Sequence, residues 1–112
     1  MVFITDSETY NNSPYKKVKS MYDDLFKDVI SSDELDNYEN PIIRLHFTHP
    51  SGAEWHVVSA DKLLNGDYLM FGIGNISVQE LGSFSLNEIL DVGAVLDTDW
   101  EECGLYDVFE TS

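Results

Sequence analysis

The spacing of apolar residues changes at Pro41. Before it, Val18, Met21, Tyr22, Leu25, Val29 and Ile30 recur at the three- and four-residue intervals of one helix face. Ser13-Pro14 supplies an N-cap and a proline at the first helical position, so the pattern predicts an amphipathic helix over roughly 14–30. Lys16, Lys17, Lys19, Asp23, Asp24, Lys27 and Asp28 fill much of the remaining surface, the early lysines against the helix dipole. Ser31 and Glu34 have capping-box spacing and predict a short helical turn near 32–38.

After Pro41 the period falls to two. Ile43, Leu45 and Phe47 alternate with other residues and are expected on one face of a strand, as are Trp55 and Val57 on the next. His49-Pro50-Ser51-Gly52-Ala53 between them has turn chemistry. A hairpin that keeps apolar residues opposite one another pairs 47 with 55, 46 with 56 and 45 with 57. Asn65-Gly66 marks another turn, residues 68–74 read as a third strand and 80–84 as a short fourth. Ser85 and Glu88 form a second capping box, opening a helix that Gly93 ends. The last stretch mixes Val95, Leu96, Trp100, Leu105, Tyr106, Val108 and Phe109 with acids and is expected to pack back on the body. The whole predicts one α+β domain over 1–112: an antiparallel sheet of about four strands, a long N-terminal helix and a short C-terminal one. Its parts are a helical region about 1–40, a sheet and short helix about 41–93, and an acidic tail about 94–112.

Charge changes this picture more than composition does. The 112 residues hold 21 acids against 6 lysines and arginines, a formal net charge of −15. Such a balance excludes direct binding to nucleic acid or an anionic membrane, both of which reward Lys and Arg. It is also far past the magnitude of about 2–8 that solubility asks of a small domain. The excess is uneven. Residues 1–62 carry 11 acids and all 6 basic residues, for −5; residues 63–112 carry 10 acids and no Lys, Arg or His, for −10. Asp33, Glu34, Asp36 and Glu39 form one local run, and Asp97, Asp99, Glu101 and Glu102 a denser one, with Asp107 and Glu110 beyond.

On an extended segment Asp97, Asp99 and Glu101 would point one way, about 6–7 Å apart. DNA carries a phosphate per roughly 3.4 Å of rise on each strand, so such a surface can occupy a Lys- and Arg-lined nucleic-acid groove in a protein partner. The expected partner-binding acids are Asp97, Asp99, Glu101, Glu102 and Asp107, with Asp33, Glu34 and Asp36 second. Trp100, inside the acidic run, is expected at the surface as an anchor. The ordinary alternative is that the acids serve solubility and that any partner meets an aromatic, hydrophobic surface instead.

The other candidates are weaker. His46, His49 and His56 all fall on the first hairpin, where His46 and His56 are cross-strand neighbours and Glu54 shares their face. Two imidazoles and a carboxylate can hold a metal, but the spacing matches no zinc pattern, and the ordinary expectation is a polar, solvent-facing side of the hairpin. Asp97-Thr98-Asp99 has the spacing of a calcium loop, yet the glycine and glutamate such a loop needs are replaced by Glu102 and Val108. Gly72-Ile73-Gly74 does not extend to a dinucleotide fingerprint and is expected to permit a bulge or close packing. Cys103 beside Glu101 and Glu102 is a poor nucleophile and, alone, forms no internal disulfide. No catalytic arrangement emerges, so the chain is expected to be no enzyme and to need no cofactor or metal. No apolar run is long enough to span a bilayer, and residues 1–6 lack a signal peptide's basic region, which predicts a cytoplasmic protein.

Pro41-Ile42 leading into Leu45-His46-Phe47-Thr48, then Trp55-His56-Val57-Val58, Met70-Phe71-Gly72-Ile73 and Glu80-Leu81-Gly82-Ser83-Phe84-Ser85-Leu86-Asn87-Glu88-Ile89 carry a family resemblance. The stretch from about 40 to 100 resembles the domain of unknown function numbered 2958, whose members look like products of plasmids, conjugative elements and phages. The resemblance implies a mobile-element accessory protein and brings no catalytic residues; the long helix and the acidic tail depart from the pattern. Taken with the charge, it implies an inhibitor of a host nucleic-acid-handling defence protein, a CRISPR effector or a restriction enzyme, acting as a DNA mimic in the host cytoplasm.

Overall fold

A computed structural model describes residues 22–109. Five strands form one antiparallel sheet in the order β5-β4-β3-β2-β6, with β2 at Leu45–Thr48, β3 at Glu54–Lys62, β4 at Tyr68–Asn75, β5 at Gln79–Ser85 and β6 at Val95–Leu96. A second, two-stranded sheet joins β1 (Ile42–Ile43) to β7 (Cys103–Gly104). Helices occupy Leu86–Asp91 and Leu105–Val108, and a 3-10 helix occupies Ser32–Asn37. The α+β class stands, with one strand more in the main sheet than the alternation indicated. Among the described residues no helix is long and apolar enough to cross a membrane.

The first hairpin has the anticipated register: Phe47 faces Trp55, His46 faces His56 and Leu45 faces Val57. Gly52, at φ 97°, makes its turn, and Gly66, at φ 88°, makes the next. Opposite faces of these strands do different work. Phe47, Trp55, Val57 and Met70 point to the front of the sheet, where Tyr22, Phe26, Leu86 and Ile89 cover them. His46, His56 and Ile73 point to the back. There Ile43, Val58, Ile73 and Leu105 form a second apolar cluster, with Leu35, Trp100, Cys103, Val108 and Phe109 packed against it.

Three local expectations are corrected. Of the helix expected over 14–30, the described part is helical only at 22–26; residues 27–29 turn and Ile30 bridges to Ser59, while 14–21 lie outside the described residues. The bridge, with the Ala60 N–H donating to the Ile30 carbonyl at 2.9 Å, draws the chain into the sheet edge and ends the helix. Ser31 makes no side-chain cap, so its pairing with Glu34 is not a capping box and the following turn is 3-10 rather than α. Ile43 does not share a face with Leu45 and Phe47. The chain leaves the small sheet and enters the large one at Arg44, which puts Ile43 in the rear cluster. Ordinary alternation turns Val57 to the front and Val58 to the back, and a bulge between Val57 and Ser59 then returns Ala60 to the front cluster.

Gly72 marks where β3 and β4 approach most closely: a Cβ there would stand 1.8 Å from the His56 carbonyl oxygen. The second capping box is present, with the Glu88 N–H donating to Ser85 Oγ at 3.0 Å and the Ser85 N–H to Glu88 Oε1 at 3.3 Å. Gly93 ends that helix at φ 98°. Buried Asp67 accepts from the Asn87 N–H at 3.0 Å and fastens the helix start to the β3–β4 turn. Beyond Gly93 the chain folds back as anticipated and crosses behind the sheet through β6, β7 and the Leu105–Val108 helix.

Candidate metal centre

The back of the hairpin holds a compact polar cluster. Strand alternation places Glu54 and His56 on one face of β3, and the register puts His46 opposite His56. The imidazoles stack with ring centroids 4.4 Å apart. One donor atom each from His46, Glu54 and His56 lies within 4.8 Å of the others. Both histidines are only 6% exposed, which overturns the expectation of a solvated polar face. What covers them is the acidic tail. Trp100 lies over the pair, its ring 4.8 Å from His46 and 5.2 Å from His56. The indole N–H donates to the Ile43 carbonyl at 2.9 Å and fixes the ring there. Trp100 is therefore a half-buried lid and not the surface anchor expected from its acidic neighbours.

His46 is held from both ends, with Nδ1 2.8 Å from Asp97 Oδ2 and Nε2 2.9 Å from Glu54 Oε1. A neutral imidazole has one N–H, so in that form the ring donates to one of these carboxylates and not to both. His56 is the opposite case. Its Nδ1 is buried with no hydrogen-bond partner among the described residues. Burial lowers its pKa to about 4; neighbouring His46 pushes the same way and Glu54 opposes. An unsatisfied buried polar atom costs about 1–3 kcal/mol. The cluster thus has one histidine with two acceptors and another with none. His49 takes no part: its ring bonds to Ser51 Oγ and the Val92 carbonyl, and pins the hairpin tip to the end of the Leu86–Asp91 helix.

The acids singled out in the sequence divide sharply. Asp97 is committed to His46, and this bond, then the Asp99 N–H donating to its Oδ1, holds its carboxyl below the usual value. That Asx turn and the turn through 98–99 break the extended path on which Asp97, Asp99 and Glu101 were expected to align. Glu102 pairs with Arg44 at 3.0 Å. Asp107 is exposed and accepts from the Gly104 N–H at 2.8 Å, closing the start of the last helix. Asp99 and Glu101 are exposed, as are Asp33, Glu34 and Asp36 on the 3-10 helix. Both groups belong to the layer behind the sheet, because Leu35 of the 3-10 helix packs on the same apolar cluster as Trp100, Leu105 and Val108. Burial, then the Asp107 charge, pushes the Cys103 thiol up, consistent with an inert thiol.

Strand alternation alone brings His46, Glu54 and His56 together. The roles of Asp97 and Trp100 have no such local signal, because they reach the histidines through the pairing of β6 with β2. No protein-family model, curated protein or solved structure matches the chain.

Proposed function

We propose that this is a non-enzymatic acidic protein that binds a basic, nucleic-acid-handling protein and occludes its groove as a DNA mimic. The observation that carries the reading is the shared layer: the 3-10 helix and the tail pack on one apolar cluster, and so gather two acidic runs behind one sheet. Asp33, Glu34, Asp36, Asp99 and Glu101 are its exposed acids without an assigned intramolecular role, and Asp107 adds charge beside them. Arg44, already paired with Glu102, offsets little of that charge. A surface fixed by a buried cluster presents its charges without ordering cost on binding, which favours association with a Lys- and Arg-lined channel. The mobile-element character of the domain it resembles makes a host defence protein, a CRISPR effector or restriction enzyme, the natural target, met in the host cytoplasm.

The test is capture of partners from bacterial lysate at about 0.1 M and about 0.5 M salt, a range over which surface charges become heavily screened. A variant carrying Asp33→Lys, Glu34→Lys, Asp99→Lys and Glu101→Lys runs in parallel. The expected result is nucleic-acid enzymes held at low salt, released at high salt and not held by the variant. A partner that the variant still holds at high salt would overturn mimicry. It would favour the second reading, an interaction module using aromatic side chains, for which half-exposed Tyr38 and Tyr106 are available.

A further inference from the structure

Behind the sheet, His46, Glu54 and His56 each offer one ligand atom within 4.8 Å of the others, and the Nδ1 of His56 is buried with no hydrogen-bond partner among the described residues. We propose that these three residues bind a divalent first-row transition-metal ion, zinc foremost, with Asp97 as the positioning residue for His46. The donor set decides the class of ion. Two imidazoles and one carboxylate suit zinc and its neighbours, whereas magnesium and calcium take oxygen ligands. Bonds of about 2.0–2.1 Å in a tetrahedron put neighbouring ligand atoms roughly 3.4 Å apart, so the 2.9 Å His46–Glu54 pair must open by about half an ångström and any separation near the 4.8 Å limit must close.

The hydrogen bonds point the same way. His46 Nε2 and Glu54 Oε1 stand 2.9 Å apart. An ion there takes both atoms as ligands and displaces whatever proton lies between them. Asp97 keeps the proton on Nδ1, at 2.8 Å, which fixes the ring and raises its basicity as a carboxylate behind a ligating histidine does. Trp100 closes the side opposite the sheet and excludes solvent. Three protein ligands leave a fourth position for water or an incoming group.

The experiment uses the full chain, stripped with a chelator and titrated with zinc by calorimetry in millimolar magnesium, which occupies the general surface carboxylates. Cobalt in place of zinc gives a second readout through the visible absorption of a tetrahedral nitrogen- and oxygen-ligated ion. One ion per chain is expected. Glu54→Gln and His56→Gln should each weaken binding at least tenfold and abolish the cobalt spectrum. Asp97→Asn should weaken it about 10–100-fold while leaving the spectrum tetrahedral, as expected of a residue that orients a ligand. Asp99→Asn with Glu101→Gln should change nothing. If His56→Gln fails to fold, Glu54→Gln carries the test, because that side chain is 39% exposed. The proposal is overturned if no stoichiometric ion binds. It is also overturned if Asp99→Asn with Glu101→Gln costs as much affinity as Glu54→Gln, since the acidic surface would then be the binder.

Discussion

The two faces of the sheet are built from alternate residues of the same strands and solve opposite problems. At the front, Phe47 and Val57 are fully buried and Trp55 nearly so, beneath Tyr22, Phe26, Leu86 and Ile89. At the back, their immediate neighbours His46 and His56 are also buried, but against carboxylates and an indole. At the front the buried Tyr68 hydroxyl has its partner, donating to Asp23 Oδ1. The rear leaves His56 Nδ1 and Ser59 Oγ unsatisfied among the described residues. A fold that needed only stability would place valine or leucine at position 56. A buried histidine whose Nδ1 has no hydrogen-bond partner among the described residues, set under a tryptophan, is the observation on which the proposed metal site rests.

The sharpest way to break the comparison is to remove a large side chain from each face in chelator-stripped protein. Phe47→Ala should cost about 3–5 kcal/mol, the transfer term plus an unfilled cavity, measured by urea denaturation. His56→Leu should shift stability by less than about 1 kcal/mol, because it removes an unsatisfied atom together with a polar ring. Equal losses would mean that the rear is an ordinary core.

This contrast also explains what could be read from the chain. The register of the first hairpin was legible, since keeping Leu45, Phe47, Trp55 and Val57 apolar opposite apolar fixes the parity of the pairing and a five-residue turn then selects 47 with 55. The meeting of His46, Glu54 and His56 followed from it. Their burial did not, because it depends on what lies behind the sheet. The acidic tail reads as a solvated segment, yet Trp100, Leu105 and Val108 carry it across the back, and β6 secures it through Thr48–Val95 and Phe47–Leu96 pairs. A two-residue strand has no period to detect. Neither has the change of sheet at Arg44, which sent Ile43 to the other cluster. The helix before Pro41 was overextended for a related reason: Val29 and Ile30 satisfy a helical spacing, but the backbone of Ile30 is used by the sheet.

A smaller effect sharpens the comparison at the backbone. Gly72 is where β4 passes beneath the His56 carbonyl, and Gly72→Ala would force a methyl against a backbone oxygen. A loss of about 1–3 kcal/mol is expected, with the strands shifted apart. If the two faces are mechanically joined there, the same change should weaken zinc binding, although Gly72 offers no ligand. Unaltered zinc affinity in a destabilised Gly72→Ala protein would show that the hairpin holds its rear geometry without close β3–β4 contact.

The gentlest probe is acid. His56 has a folded-state pKa near 4, against about 6.5 when unfolded, because burial disfavours its charged form. Above about pH 6.5 both states are neutral and the stability is complete. Between about pH 6.5 and 4 the unfolded chain takes up a proton that the folded chain refuses, so stability falls as pH falls, with a limiting slope of about 1.4 kcal/mol per pH unit. The groups facing His56 are His46 and Glu54. Asp97, whose carboxyl is held low by His46 and the Asp99 N–H, adds a second loss only below its ordinary value of 3.8. The measurement is urea denaturation of metal-free protein at pH 7.5, 6, 5 and 4.5, values chosen to straddle the His56 window. His56→Leu should flatten the slope between pH 6 and 4.5, and Phe47→Ala should lower every point without changing it. An unchanged slope in His56→Leu would move the buried proton equilibrium to another group and remove the electrostatic distinction between the two faces.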